Sequence, residues 1–303
     1  MKRARLIYNP SAGRQQVKHQ LPSILERLEV AGYESSSHAT TGSGDAIKAA
    51  RLASERKFEL VIAAGGDGTI NEVISGLAEL SHRPKLGIIP AGTSNDFARA
   101  LDVPKSIDVA CDAICSGYEI PLDIGKVADK YFVNVAGGGT LTELTYEVPS
   151  KLKTMIGQLA YYVKGIEKLP DIHPFSVRIE YDENVFEGEI MLFLVLNTSS
   201  TGGFDKLAPK ASLNDGKFDL LILKKSNLGD FVRVFSSAVS GEHIHDKAIV
   251  YAQASDIKIE PNEEVQLNLD GEFGGMLPSQ IVNLKHHFQV CVPKSRYLKY
   301  LEE

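Results

Sequence analysis

Over the first 120 residues, short apolar runs alternate with amphipathic ones. Ala4 to Tyr8 is an apolar run. From Val17 to Val30 the residues Val17, Leu21, Ile24, Leu25 and Leu28 fall on one helical face, and Gly32 closes the segment. A mixed strand, Tyr33 to Ala39, leads to a helix opened by Gly44 and Asp45 and running to about Arg56, then to a buried strand, Leu60 to Ala64. A helix from about Asn71 to Leu80, a strand from Lys85 to Pro90 and two helical pieces, near Asn95 to Leu101 and Ile107 to Ser116, complete the series. This order predicts a parallel sheet covered by helices.

Past Pro121 the rhythm becomes strand-like: Ile124 to Val127, Tyr131 to Val135, Ser176 to Tyr181, Val185 to Leu196, Phe218 to Leu223, Ile249 to Ile259, Val265 to Leu269 and Phe288 to Val292. Turn residues such as Asp182, Glu183 and Asn184, or Asn214, Asp215 and Gly216, separate the runs. A mostly antiparallel domain is expected, interrupted by helices at Lys151 to Leu169 and Leu228 to Ser240. The division expected is 1–121, 122–294 and a tail, 295–303, returning to the first domain.

Composition narrows the classes. The chain has 303 residues, 33 basic and 39 acidic, a net charge of −6, which argues against general binding to nucleic acid or an anionic membrane. The longest strongly apolar stretch, Ile190 to Leu196, is far shorter than the roughly 20 residues a spanning helix needs, and the N-terminus lacks a secretory pattern. Three cysteines, Cys111, Cys115 and Cys291, suit a reducing compartment and read as buried structural thiols, so a cytoplasmic protein is expected. His243, His245, His286 and His287 lack zinc-ligand spacing and read as polar surface residues.

The candidate chemistry lies in three glycine-containing loops, each directly after a predicted strand: Asn9 to Gly13, Gly65 to Thr69 and Gly92 to Asp96. A parallel sheet presents its ligand crevice at that end. In the second loop, Gly65, Gly66 and Gly68 allow backbone amides at the next helix start to cradle phosphate. There is no Walker lysine, and the loop carries Asp67 instead. A carboxylate beside phosphate calls for a divalent cation, so Mg²⁺ is implied.

GGDGT followed by PAGTSNDFARAL (Pro90 to Leu101) resembles the bacterial diacylglycerol kinase and lipid kinase family. VNVAGGG (Val133 to Gly139), PSKLKTMIGQLAYYVKG (Pro149 to Gly165) and LNLDGE (Leu267 to Glu272) extend the likeness over nearly the whole chain. The resemblance implies an α/β fold class: an N-terminal parallel-sheet nucleotide-binding domain of the NAD kinase/phosphofructokinase kind, plus a C-terminal antiparallel β-sandwich domain, with the active site between them. It implies ATP held by Asn9, Pro10, Ser11, Ala12 and Gly13, by Thr40, by Gly66, Asp67, Gly68, Thr69, Ile70, Asn71 and Glu72, and by Thr93. Asp67, Asp96 and Asp123 align with acids that organise catalytic Mg²⁺ and its waters. Read locally, Asp96 is equally a helix N-cap and Asp123 a strand-end turn residue.

A kinase acting on an alcohol needs a base for the hydroxyl proton, and the resemblance assigns this to Asp270 or Glu272, with the choice open. It also implies a structural Mg²⁺ at Ser212, Asp215 and Lys217, where lysine serves only through its carbonyl oxygen. Between Lys151 and Pro170 the apolar residues share one helical face and Lys153, Lys164 and Lys168 gather opposite. Lys164 in particular is a candidate for the product phosphate or anionic headgroups. The activity implied is ATP- and Mg²⁺-dependent phosphorylation of diacylglycerol to phosphatidate in phospholipid recycling, at the inner face of the membrane. A homodimer stands open, and no nucleic acid partner is expected. The alternatives are a kinase of another lipid alcohol (a sphingoid base or monoacylglycerol), an NAD kinase, or a nucleotide-binding regulator without turnover.

Overall fold

The computed structural model describes residues 2–139, 173–199, 201 and 206–302. In chain order the elements are β1 (Lys2–Tyr8), α1 (Gln16–Val30), β2 (Tyr33–Ala39), α2 (Asp45–Glu55), β3 (Leu60–Gly65), α3 (Asp67–Leu77), β4 (Lys85–Pro90), α4 (Asp96–Ala100), α5 (Ile107–Cys115) and β5 (Glu119–Val127). They continue as β6 (Lys130–Phe132), β7 (Val135–Gly139), β8 (Phe175–Tyr181), β9 (Asn184–Leu196), β10 (Phe218–Lys224), α6 (Leu228–Ala238), β11 (Ile249–Ala254) and β12 (Asp256–Pro261). Last come β13 (Gln266–Leu269), β14 (Glu272–Met276), β15 (Ser279–Cys291) and α7 (Lys294–Glu302). The chain forms two compact units, Met1–Asp123 with Lys285–Glu303, and Ile124–Leu284.

In the first unit β2, β1, β3 and β4 lie side by side in that order, all parallel, and β15 pairs parallel to β4 with Val290 opposite Leu86. Every residue of β3 (LVIAAG) is buried, as the continuous apolar run of a strand covered on both faces demands. The order reverses direction between β1 and β3. Loops leaving the two strands in opposite directions open a crevice there, at the carboxyl ends of the strands.

In the second unit every described strand pairing is antiparallel. Alternation along β9 and β10 sends residues into two cores. Phe193, Val195, Leu220 and Ile222 join Ile179, Ile257 and Ile281 in one, while Leu192, Leu196, Leu221 and Leu223 pack with Phe231 and Val234 of α6 in the other.

Several elements depart from the pattern-based expectation for identifiable reasons. Helix α3 begins at Asp67, four residues before Asn71, because Gly66 is extended and its carbonyl already accepts the Ile70 N–H at 3.2 Å. The run expected from Ile249 to Ile259 breaks at Ser255, whose N–H and hydroxyl both donate to Asp182 at 3.0 Å from the β8–β9 turn. The run expected from Tyr131 to Val135 likewise splits into β6 and β7, since residues 133–135 turn their amides to Asp270. Strand β15 starts nine residues ahead of Phe288, and the chain re-enters the first unit at Lys285, not Ser295. Polar residues such as Lys285, His286 and His287 hid that strand from the hydrophobic pattern.

His243 corrects another expectation. It is buried, not a surface residue, with its ring Nε2 donating to the Leu207 carbonyl at 2.9 Å. Cys111 and Cys291 are buried as expected, and burial pushes both thiols up to about 12.

Candidate active site

Three loops leave the carboxyl ends of β1, β3 and β4. Sheet bonding runs up to their first residues: the Asn9 N–H donates to the Ala64 carbonyl at 3.0 Å, and the Ala91 N–H to that of Gly65 at 2.8 Å. Beyond these bonds the backbones touch. A Cβ on Gly92 would lie 2.6 Å from the Gly66 Cα, and one on Gly13 would lie 2.8 Å from the Ala91 carbonyl oxygen. Only glycine permits these approaches, so all three loops converge on one edge of the first unit.

The first loop is strained as well as close-packed. Gly13, Arg14 and Gln15 have φ of 54, 55 and 66°, three consecutive left-handed residues, at about 1–2 kcal/mol for each that is not glycine. Asn9 fixes the entry, its Oδ1 accepting from the Ser11 N–H at 2.9 Å and the Ser11 hydroxyl at 2.7 Å. Pro10 lies within that turn, and the Ala12 N–H closes it on the Asn9 carbonyl at 3.2 Å. Thr40, at the end of β2, donates its N–H to the Tyr8 carbonyl at 2.9 Å, which places it beside the same edge.

In the second loop the amides of Asp67, Gly68 and Thr69 stand at the start of α3, where an α-helix has no intrahelical acceptors for them. The other residues expected at the nucleotide divide. Ile70 is in the core and offers no side chain, and Asn71 is nearly buried with Oδ1 accepting from Ser75 at 3.1 Å. Glu72 is a brace: its carboxylate accepts the Gly44 N–H at 2.8 Å and the Ala46 N–H at 3.2 Å, holding the start of α2. Thr93 is exposed on the third loop. Its shape is set by Asn95, whose side chain donates to and accepts from Gly92 at 2.8 Å in each direction.

Of the three acids in this unit, two meet. Asp67 accepts the Phe97 N–H at 3.2 Å. Burial pushes its carboxyl above the ordinary value of 3.8, the Phe97 N–H pulls it back, and the negative charge of Asp96 raises it again. Asp96 is the first residue of α4, not its N-cap, and pairs with Arg99. Asp123 is not at a strand end. It lies within β5, fully buried, and accepts the His286 N–H at 2.6 Å. A buried carboxylate held near a second one fits the surroundings of a divalent cation. Among the described residues no three His, Cys, Asp or Glu side chains gather as a metal cluster.

In the second unit the two candidate bases separate by environment. Asp270 has φ of 51°. Its Oδ2 accepts the Val133 N–H at 2.7 Å, and its Oδ1 accepts those of Asn134 at 2.9 Å and Val135 at 2.8 Å. The Asp270 N–H returns a bond to the Val135 carbonyl at 2.9 Å. Glu272, the first residue of β14, is exposed. The turn expected to hold a cation is tightly wrapped: Ser212 donates to the Asn214 Oδ1 at 2.8 Å, and the Lys217 N–H to the Asp215 Oδ1 at 2.9 Å. Lys164 and the helix expected around it lie outside the described residues.

Sequence reasoning missed two features here. The amide cradle on Asp270 joins residues 136 apart and leaves no local signal. Asp219, buried on β10 and bonded to the Tyr251 hydroxyl, had one: it is a lone acid in the apolar run Phe218 to Leu223.

Comparison with known proteins covers both units. Residues 3–127 match the family described as the diacylglycerol kinase catalytic domain, and residues 143–295 match the YegS C-terminal NAD kinase beta sandwich-like domain. The diacylglycerol kinase of Bacillus subtilis (strain 168) is 60% identical over 297 residues, spanning 98% of each chain. That of Staphylococcus haemolyticus (strain JCSC1435) is 49% identical over 300 residues, 99% of this chain and 91% of the relative. A crystal structure of a diacylglycerol kinase from Bacillus anthracis str. Sterne superimposes with a TM-score of 0.80 at 31% identity, covering 97% of this chain and 98% of that one.

Proposed function

We propose that this chain, which belongs to the diacylglycerol kinase family of bacterial lipid kinases, transfers the γ-phosphoryl group of ATP to the hydroxyl of diacylglycerol, with Mg²⁺, giving phosphatidate and ADP. The observation that carries the reading is the convergence of Gly13, Gly66 and Gly92 at one sheet edge, with Asp67 and Asp96 beside it. In this reading the backbone amides of Asp67, Gly68 and Thr69 bind phosphate oxygens, and the Asn9 to Gly13 loop, Thr40 and Thr93 surround the nucleotide. Asp67 and Asp96 hold the cation and its waters, and Asp123 orders the strand behind them. Bound Mg²⁺ supplies charge neutralisation for the transferring phosphoryl group.

Glu272 serves as the base. Asp270 already has both carboxylate oxygens occupied by three amides, whereas Glu272 is exposed. As the hydroxyl oxygen bonds to the γ-phosphorus, its proton passes to the Glu272 carboxylate, the bond from phosphorus to the bridging oxygen breaks, and ADP leaves. Asp270 is then a positioning residue. Lys164 is assigned to the product phosphate or lipid headgroups on sequence grounds. No described helix is long and apolar enough to cross a membrane. The encounter with lipid is assigned to the inner membrane surface, in phospholipid recycling.

The test is incorporation of labelled γ-phosphate into a panel of diacylglycerol, monoacylglycerol, a sphingoid base and NAD, with and without Mg²⁺. Label in diacylglycerol that vanishes with EDTA is the expected result. Label confined to another acceptor would overturn the assignment of substrate, and undiminished label in EDTA would overturn that of the cation.

A further inference from the structure

One carboxylate of the first unit has no part in the scheme above. Asp45 is the first residue of α2, and a single oxygen of it, Oδ2, gathers the turn that joins β2 to this helix. That oxygen accepts the Thr41 N–H at 2.8 Å and the Thr41 hydroxyl at 2.9 Å, and the His38 Nε2 lies 3.3 Å from it. The Asp45 N–H closes the turn on the Gly42 carbonyl at 3.3 Å. The two bonds from Thr41 hold the Asp45 carboxyl below its ordinary value of 3.8, so the group is an anion at neutral pH. The residue that this turn carries is Thr40. His38 and Ala39 pair with Ile7 and Tyr8 of β1, and the Thr40 N–H then donates to the Tyr8 carbonyl at 2.9 Å. Thr40 is thus fixed on one side by β1, next to the residue where the first loop begins. On the other side it is fixed through Thr41 by Asp45.

Charge decides which end of a nucleotide the turn can face. A helix start draws phosphate to its open amides. At α3 the amides of Asp67, Gly68 and Thr69 have no intrahelical acceptor. At α2 the Gly44 and Ala46 amides are already taken by Glu72, at 2.8 and 3.2 Å, and the Thr41 amide by Asp45. Two carboxylates at this helix start repel a polyphosphate. They suit the hydrogen-bond donors of a nucleoside, its ribose hydroxyls and its base amino group.

We propose that Asp45 is a positioning residue for the nucleoside end of ATP, folding the turn after β2 so that Thr40 meets the ribose and base while the start of α3 takes the phosphates. This rests on the reading of Thr40 as a nucleotide residue. The nucleotide then lies in one direction across the sheet edge, from β2 past β1 to β3.

Nucleotide binding to the full-length protein is measured by displacement of a fluorescent ATP analogue, alongside steady-state kinetics. Two competitors separate the ends: adenosine probes one and tripolyphosphate the other. Asp45→Ala is expected to raise KM for ATP and Ki for adenosine about tenfold, while kcat, KM for diacylglycerol and Ki for tripolyphosphate stay within about twofold of wild type. Asp45→Asn keeps an acceptor for Thr41 and should recover most of the loss. Unchanged adenosine affinity in Asp45→Ala would overturn the proposal, as would an equal rise in Ki for tripolyphosphate or an Asp45→Asn no better than Asp45→Ala. Should Asp45→Ala not fold, Thr41→Val is read instead, since it removes one donor and keeps the charge. Adenosine binding weakened about threefold in that variant would support the proposal, and wild-type affinity would overturn it. If the wild type binds both competitors but places no label in diacylglycerol, the assignment of substrate fails while the displacement measurements still decide this inference. A wild type that binds tripolyphosphate and not adenosine overturns it.

Discussion

Asp67, the first residue of α3, and Asp270, just past β13, are both half-buried acids, one in each unit, and they are treated in opposite ways. Asp67 receives the Phe97 N–H at 3.2 Å with lesser help from the Asn95 backbone, and burial together with the charge of Asp96 still holds its carboxyl above the ordinary value. Asp270 receives three amides between 2.7 and 2.9 Å and is saturated by its own unit. An acid left wanting in an otherwise completed fold is placed for something the fold does not contain. An acid that the backbone already satisfies is structural, whatever motif it stands in. The same contrast selects Glu272 over its motif neighbour.

The comparison can be broken most directly at Glu272. Glu272→Gln is expected to lower kcat by about 10²–10⁴-fold while Tm stays within error; an active variant would return the base to Asp270. Next is Asp67→Asn, expected to lower kcat/KM by about 10²-fold with no loss of stability in the absence of ligand. The sign follows from the raised carboxyl: a folded-state value above 3.8 means that the acid's contribution to stability is present at low pH and is lost as pH rises through that value. The neutral amide loses nothing there, so denaturant midpoints at pH 8 should match or exceed wild type. A lowered midpoint would show Asp67 to be structural.

Asp270→Ala sharpens the contrast from the other side. Three amides lose their acceptor, and a destabilisation of about 2–3 kcal/mol is expected from urea titration; a wild-type midpoint would remove the distinction between the two acids. The smallest effect concerns His243. Burial lowers its pKa below 6.5, so its contribution is complete above 6.5 and is lost as pH falls from there through the folded-state value. Replacing it with Gln should flatten the decline in Tm between about pH 6.5 and 5, and an unchanged decline would assign the pH dependence elsewhere.

The alternating half of the molecule was legible because each short apolar run is a complete strand. Strands Tyr33–Ala39 and Lys85–Pro90 have the bounds that the pattern predicts, and the three loops were identifiable because glycine falls at each strand end. What stayed hidden depends on distance along the chain. Nothing near Val133 indicates that Asp270 will claim its amide, nothing near Ser255 indicates Asp182, and β15 is too polar to be seen before its partners are known. Helix α7 was also missed: it is nine residues long, and although Tyr297, Leu298 and Leu301 fall at helical spacing, only Arg296 is buried.

The first unit's sheet is not complete when its first 123 residues have been made. Its strand next to β4 belongs to Lys285–Glu303, and at a synthesis rate of about 5–20 residues per second that strand arrives roughly 10–30 s later. Through that interval β4 has an open edge on the ribosome, a template for pairing with the wrong chain. A chain terminated anywhere before residue 285 would leave the edge open for good, however well the three phosphate loops had formed.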